Sequence, residues 1–199
     1  MLGRLVAMSV MLALPVTGCG RTQDPNVTVS AMSFQTVGWR AAPQSGAWTQ
    51  AALDALEAHG APLVGFSPTD IDAWCPAYDD GDDATRKAFW VGFLSALSRH
   101  ESTWNPKAVG GGGRWFGLLQ IAPSTARGYG CRATSGKALK NGAENLSCAV
   151  RIMAHTVVRD GVVAEGMRGV AADWGPLHSE RKRTDMMART RALPACGAG

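Results

Sequence analysis

The sequence predicts a mainly α-helical fold built as one domain, and three observations carry that prediction. Residues 84–101 and 143–159 each repeat apolar side chains at helical spacing. No stretch shows the sustained alternation of a half-buried antiparallel strand. Of five cysteines, one lies near the N-terminus and four are left to staple a compact body. With 199 residues and 46% hydrophobic content, the chain can bury a sizeable core and is too apolar for disorder. Its 20 Lys and Arg are offset by 16 Asp and Glu, so the net charge of +4 speaks weakly for nucleic acid.

The N-terminus reads as a secretory leader. Arg4 precedes an apolar run, Leu5 to Val16, which is too short for a comfortable membrane span. Val16-Thr17-Gly18-Cys19 resembles the bacterial lipobox. That resemblance implies acylation of Cys19, anchorage in a lipid bilayer and a place on the periplasmic face of a membrane. Gly20, where an inner-membrane lipoprotein would carry Asp, points to the outer membrane. The alternative leaves Cys19 as a free thiol after ordinary cleavage. The expected organisation is a leader over 1–18, a tether over 19–60 and a helical domain over 61–199. The tether contains a short helix, Ala47 to His59, stopped by Gly60.

The domain follows in order. Asp70 to Asp83 reads as a loop whose acidic group, Asp79, Asp80, Asp82 and Asp83, runs into a helix N-terminus. It lacks EF-hand ligand order. In the helix 84–101, Phe89, Trp90, Phe93, Leu94 and Leu97 form the buried stripe, with Arg99 and His100 near its C-terminal end. Gly110 to Gly113 is a loop. Pro123 starts a helix to Tyr129. Leu146, Ala149, Val150, Met153 and Val157 line one face of the helix 143–159. Gly166–Ala172 reads as a short helical piece and Arg181–Ala192 as a basic C-terminal helix. An exported chain with four cysteines should form two disulfides. Of the three possible pairings, Cys131–Cys148 and Cys75–Cys196 are preferred: the first closes a short loop, and the second ties the tail to the domain entrance. No CxxC or HExxH spacing exists, so no metal and no cofactor are expected.

Glu101 is the residue with the clearest chemistry. It lies four residues after Leu97 and seven after Leu94, so a continuing helix puts its carboxyl at the end of the buried stripe. Burial without a cationic partner raises a carboxyl pKa, and a protonated carboxyl can donate to a leaving glycosidic oxygen. The plain alternative is a helix-end glutamate in solvent. Glycoside hydrolysis normally uses two carboxylates, yet Ser102 to Asn141 contains no Asp or Glu. The local absence favours one carboxyl acting alone.

At this point the chain resembles a family. Glu101-Ser102, Gly117-Leu118-Leu119-Gln120-Ile121, Pro123-Ser124-Thr125-Ala126 with Tyr129-Gly130, and Asn145-Leu146 are similar, in order and spacing, to the motifs of lytic transglycosylases of the soluble-lytic-transglycosylase type. Their catalytic domain is lysozyme-like, related to goose-type lysozyme. The resemblance covers roughly residues 84–160. It implies that Glu101 protonates the oxygen between N-acetylmuramic acid and N-acetylglucosamine. The resulting carboxylate then accepts the muramoyl C6 hydroxyl proton as that hydroxyl closes a 1,6-anhydro ring. The resemblance also implies substrate contacts from Ser102, Gly117, Leu118, Leu119, Gln120, Tyr129 and Asn145. The implied partner is the peptidoglycan glycan strand, met by a monomer working beside anionic wall polymer. Trp104 and Trp115 are candidates to stack on sugar faces.

Two departures qualify the match. The loop Gly110–Arg114 lacks the hydroxyl many relatives carry there, and the late Ala-Tyr-Asn motif is replaced by Ala172-Asp173-Trp174. Tyr78 could stand in for the missing tyrosine, or Trp174 could shape the cleft. Asp173 near Glu101 would support a hydrolytic muramidase instead. A noncatalytic peptidoglycan-binding lipoprotein is the other alternative.

Overall fold

A computed structural model describes residues 37–197. The leader, the lipobox with Cys19 and the tether up to residue 36 lie outside the described residues. Eight helical segments follow one another: α1 (Ser45–Glu57), α2 (Ala61–Val64), α3 (Ile71–Trp74), α4 (Asp83–Ser102), α5 (Pro123–Gly128), α6 (Gly136–Leu139), α7 (Gly142–Asp160) and α8 (Glu180–Arg191). Single 3₁₀ turns occupy Gly38–Ala41, Gly169–Ala172, Gly175–His178 and Pro194–Cys196. Two-residue strands, β1 (Val109–Gly110) and β2 (Trp115–Phe116), form an antiparallel hairpin with Val109 opposite Phe116. The fold is mainly α, as the helical periodicity led one to expect.

The central element is α4. Asp82 caps it by accepting the Thr85 N–H at 2.8 Å. The expected amphipathic stripe turns out to be only part of the burial, because Ala88 to Ser98 are buried without a break. The reason lies in the neighbours: α1, α8 and the 3₁₀ turns at both ends of the described chain all pack on this helix. Small residues let them approach, and a side chain at Gly92 would collide with Leu193. Trp74, Phe89, Trp90 and Phe93 fill one flank with edge-on ring contacts at 4.8–5.6 Å.

The expected tether is corrected where it is described. Trp39, Trp48, Ala52 and Leu56 are buried in the same core as α4 and α7, so the helical body begins by Val37 rather than at residue 61. The physical cause is area: two indoles and a leucine on one short segment bury too much apolar surface to remain a spacer. Ser95, buried inside α4, takes the Trp39 N–H on its hydroxyl at 3.1 Å. The expected helical piece at 166–172 shortens to a 3₁₀ turn entered through Gly169, whose φ is +61°.

Both preferred disulfides form. Cys75–Cys196 joins the end of α3 to the last 3₁₀ turn across a sequence separation of 121, and Cys131–Cys148 joins the loop after α5 to α7. Among the described residues no three His, Cys, Asp or Glu side chains are grouped so that they could hold a metal ion.

Candidate active site

Glu101 sits in the last turn of α4, half-buried. Among the described residues its carboxyl makes no hydrogen bond and no ion pair. Burial pushes its pKa from the ordinary 4.5 up to about 7, and the positive charge of Lys182 on α8 pulls partly against that rise. No second carboxylate contributes. Lys182 belongs to the turn of α8 before Asp185, and Asp185 fixes that helix against α4. Its Oδ2 lies 2.9 Å from His100 Nε2, 3.4 Å from Arg99 Nη1 and 2.8 Å from Arg189 Nε. The Arg189 hydrogen bond above all, with the His100 hydrogen bond and the charges of Arg189 and Arg99, holds the Asp185 carboxyl below its ordinary range.

The helix ends abruptly behind Glu101. Thr103 and Trp104 both adopt left-handed backbone, at φ +52° and +58°. For a β-branched threonine this is an unfavoured conformation, and such strain collects at functional sites. Two observations show what holds it. The Trp104 indole N–H donates to the Ser95 carbonyl at 2.9 Å, and the Ser102 hydroxyl donates to the Leu118 carbonyl at 2.8 Å. The first anchors the partly buried Trp104 ring against α4. The second straps the Glu101 turn to the Gly117–Gln120 segment.

That segment is a tight turn whose polar groups are largely engaged internally. Asn145 is fully buried. Its Oδ1 accepts the Leu119 N–H at 2.9 Å, and its Nδ2 donates to the Phe116 and Leu139 carbonyls at 3.0 Å. Trp174, also buried, donates its indole N–H to the Leu119 carbonyl at 2.9 Å. Gln120, at φ +47°, donates from Nε2 to the Gly117 carbonyl at 2.9 Å. The residues expected to contact substrate divide by exposure. The side chains of Asn145, Leu118, Leu119 and Trp174 are buried and build the turn from behind. Gly117 adopts a φ of +82°, and a side chain there would strike the Leu139 carbonyl and Asn145. Gln120 and Ser102 keep partial access to solvent.

The two stand-ins considered for the missing tyrosine separate clearly. Tyr78 is fully buried, accepts the Trp90 indole N–H at 3.0 Å and reaches the Leu63 carbonyl at 3.3 Å, inside the core. It takes no part in the Glu101 turn. Trp174 supports the cleft turn, as described. Asp173 pairs with Tyr129, which donates its hydroxyl to Asp173 Oδ2 at 3.1 Å. It does not figure among the influences on Glu101. Tyr129 thus joins α5 to the Asp173 segment, its ring lying edge-on to His155 at 5.5 Å.

Sequence reasoning missed Lys182. It was one of several cations in the basic C-terminal run, and nothing in that run distinguishes it. The rest of the run is largely engaged: Arg183 donates to the Leu177 carbonyl, Arg189 pairs with Asp185, and Arg191 donates to the Asp72 and Ala73 carbonyls.

Comparison with known proteins agrees with this geometry. A family model, the transglycosylase SLT domain, matches residues 81–164. Solved structures of Bd0314 DslA match over 80% of this chain and 96% of theirs at 28% identity. The TM-score is 0.72 for its wild-type form 2 and 0.73 for each of two glutamate-to-glutamine mutants. No curated protein matches the sequence. The match spans the helix that carries Glu101, the cleft turn and all of α7, so the chain carries a transglycosylase SLT domain, the peptidoglycan-cleaving domain of lytic transglycosylases, on a lysozyme-like fold.

Proposed function

We propose that this enzyme cleaves the β-1,4 bond between N-acetylmuramic acid and N-acetylglucosamine without water, with Glu101 serving first as acid and then as base. The observation that carries the reading is a lone half-buried carboxyl whose pKa is raised to about 7, with Lys182 as the one charge acting on it. At neutral pH a large share of such a group is protonated and can give its proton to the glycosidic oxygen. The C1–O bond breaks, the muramoyl C6 oxygen bonds to C1, and the C6 hydroxyl proton passes to the Glu101 carboxylate. Glu101 ends protonated again, and the products are a 1,6-anhydromuramoyl end and a free N-acetylglucosamine 4-hydroxyl. Lys182 steadies the carboxylate between the two proton transfers. A water-activating base would need a second carboxylate on the opposite face of the sugar. Asp173, the candidate raised from sequence, is bonded to Tyr129 instead, which favours the non-hydrolytic course. Export and anchorage through an acylated Cys19, at the periplasmic face of the outer membrane, belong to the same reading.

The test is digestion of purified sacculi followed by mass spectrometry. Anhydro-muropeptides are the expected products, and Glu101→Gln should abolish them. Reducing-end products would overturn the non-hydrolytic course and indicate a muramidase. Sacculus binding without soluble product would indicate a noncatalytic binder.

A further inference from the structure

A groove of about 630 Å³ opens beside the cleft turn, between the β1–β2 hairpin and α5. Its walls include Arg114, Trp115, Phe116, Ser124, Thr125 and Arg127. Every charge among its lining residues is positive. Neither guanidinium meets a carboxylate among the described residues. Arg114 donates from Nε to the Gly111 carbonyl at 2.8 Å and lies over the Trp115 ring at 5.1 Å from its centroid. Arg127 donates from Nη1 to the Thr134 carbonyl at 3.2 Å. Each arginine is therefore oriented by a backbone carbonyl and keeps further N–H donors free. Trp115 is 44% exposed, a large apolar face left beside these charges. β2, which walls the groove, leads along the chain directly into Gly117–Gln120, and Ser102 straps that turn to α4 next to Glu101. Trp115 also walls a smaller cavity of about 60 Å³ with Gln120 and Asp173.

We propose that this groove is a carboxylate-recognising subsite that takes the acidic peptide stem of the glycan strand. It rests on the reading that the chain acts on peptidoglycan. The recognition chemistry is simple. A peptide stem bears free carboxylates separated by short aliphatic stretches. Arginine matches a carboxylate with paired N–H donors, and an exposed indole covers aliphatic surface. A stem-free glycan would use the indole and offer the arginines hydroxyls and at most one lactyl carboxylate on each muramoyl residue, where a stem brings several carboxylates.

Two measurements on the full chain test the proposal. The first is calorimetric titration with the free tetrapeptide stem, alanyl-glutamyl-diaminopimelyl-alanine. Saturable binding is expected, weakened about tenfold for each arginine removed in Arg114→Gln and Arg127→Gln, since a charge-assisted pair contributes about the equivalent of one decade in affinity. The second compares cleavage of peptide-bearing strands with strands stripped of their stems. The double variant should raise KM on the first substrate and leave both kcat and KM on the stripped strands unchanged. No saturable stem binding, equal affinity for wild type and double variant, or an equal KM change on both substrates would each overturn the subsite. Failure of the wider reading looks different: stem binding would persist while neither substrate yields soluble product.

Discussion

Replacing Glu101 by glutamine should stabilise the protein, by an amount that grows with pH. The wild-type carboxyl has an ordinary pKa of 4.5 in the unfolded chain and about 7 in the fold. Its contribution is then fully present below pH 4.5 and is lost as pH rises through 7, because the unfolded chain ionises first and gains the solvation the fold withholds. The interval between 4.5 and 7, at about 1.4 kcal/mol for each tenfold change in proton affinity, sets a ceiling of about 3 kcal/mol. Glutamine does not titrate and has nearly the same shape. The difference in stability between variant and wild type should be flat below pH 4, climb between pH 4.5 and 7, and level off by pH 8. For a chain of this size that corresponds to a melting-temperature gap widening by about 6–12 °C at most. Thermal unfolding followed by circular dichroism across that pH range, with disulfides intact, provides the assay. All other titrating groups are shared and cancel in the difference. A gap that stays constant with pH would show that Glu101 ionises as freely in the fold as in the open chain. The acid role proposed for it would then lose its physical basis.

Other expectations follow from the same geometry. Lys182→Met removes the charge that lowers the Glu101 pKa, so the alkaline limb of the cleavage pH profile should move to higher pH; an unmoved limb would refute the assignment. Asn145→Ala strands the Leu119 N–H and the Phe116 and Leu139 carbonyls in the core, and should cost about 3–4 kcal/mol by chemical denaturation together with loss of cleavage. Thr103→Gly relieves a β-branched residue at φ +52° and should raise stability by about 1 kcal/mol. A Cys75→Ser/Cys196→Ser double variant opens a loop with a sequence separation of 121 and should lose about 4–5 kcal/mol on the chain-entropy model, read as an earlier denaturant midpoint.

Much of the fold was legible in the chain because helical periodicity and glycine or proline stops are local signals. The boundaries of α4, α7 and α8 fall within two residues of those expected. The tether was misjudged for a reason that locality explains. Trp39 and Trp48 stand in a segment with weak periodicity, and only the packing of α1 on α7 reveals where those indoles go. The site divides in the same way. Ordered motifs pointed to Glu101 and the 117–121 turn, yet could not separate residues that face a substrate from residues that build the turn. Asn145 and Trp174 belong to the second group because their hydrogen bonds end on that turn's backbone.

By itself the sequence determined the helical class and the position of one carboxyl at the end of a buried helix, and it pointed to two disulfides. These depend on neighbours in the chain, on cysteine number and on motif order. Tertiary structure alone decided the surroundings of that carboxyl. Burial raises its pKa, Lys182 reaches it from a helix some eighty residues away, and Asp173 is bound to Tyr129 instead. A proton affinity is set by every charge and dipole within a few ångströms in space, and the order of residues along a chain does not record which of them those will be.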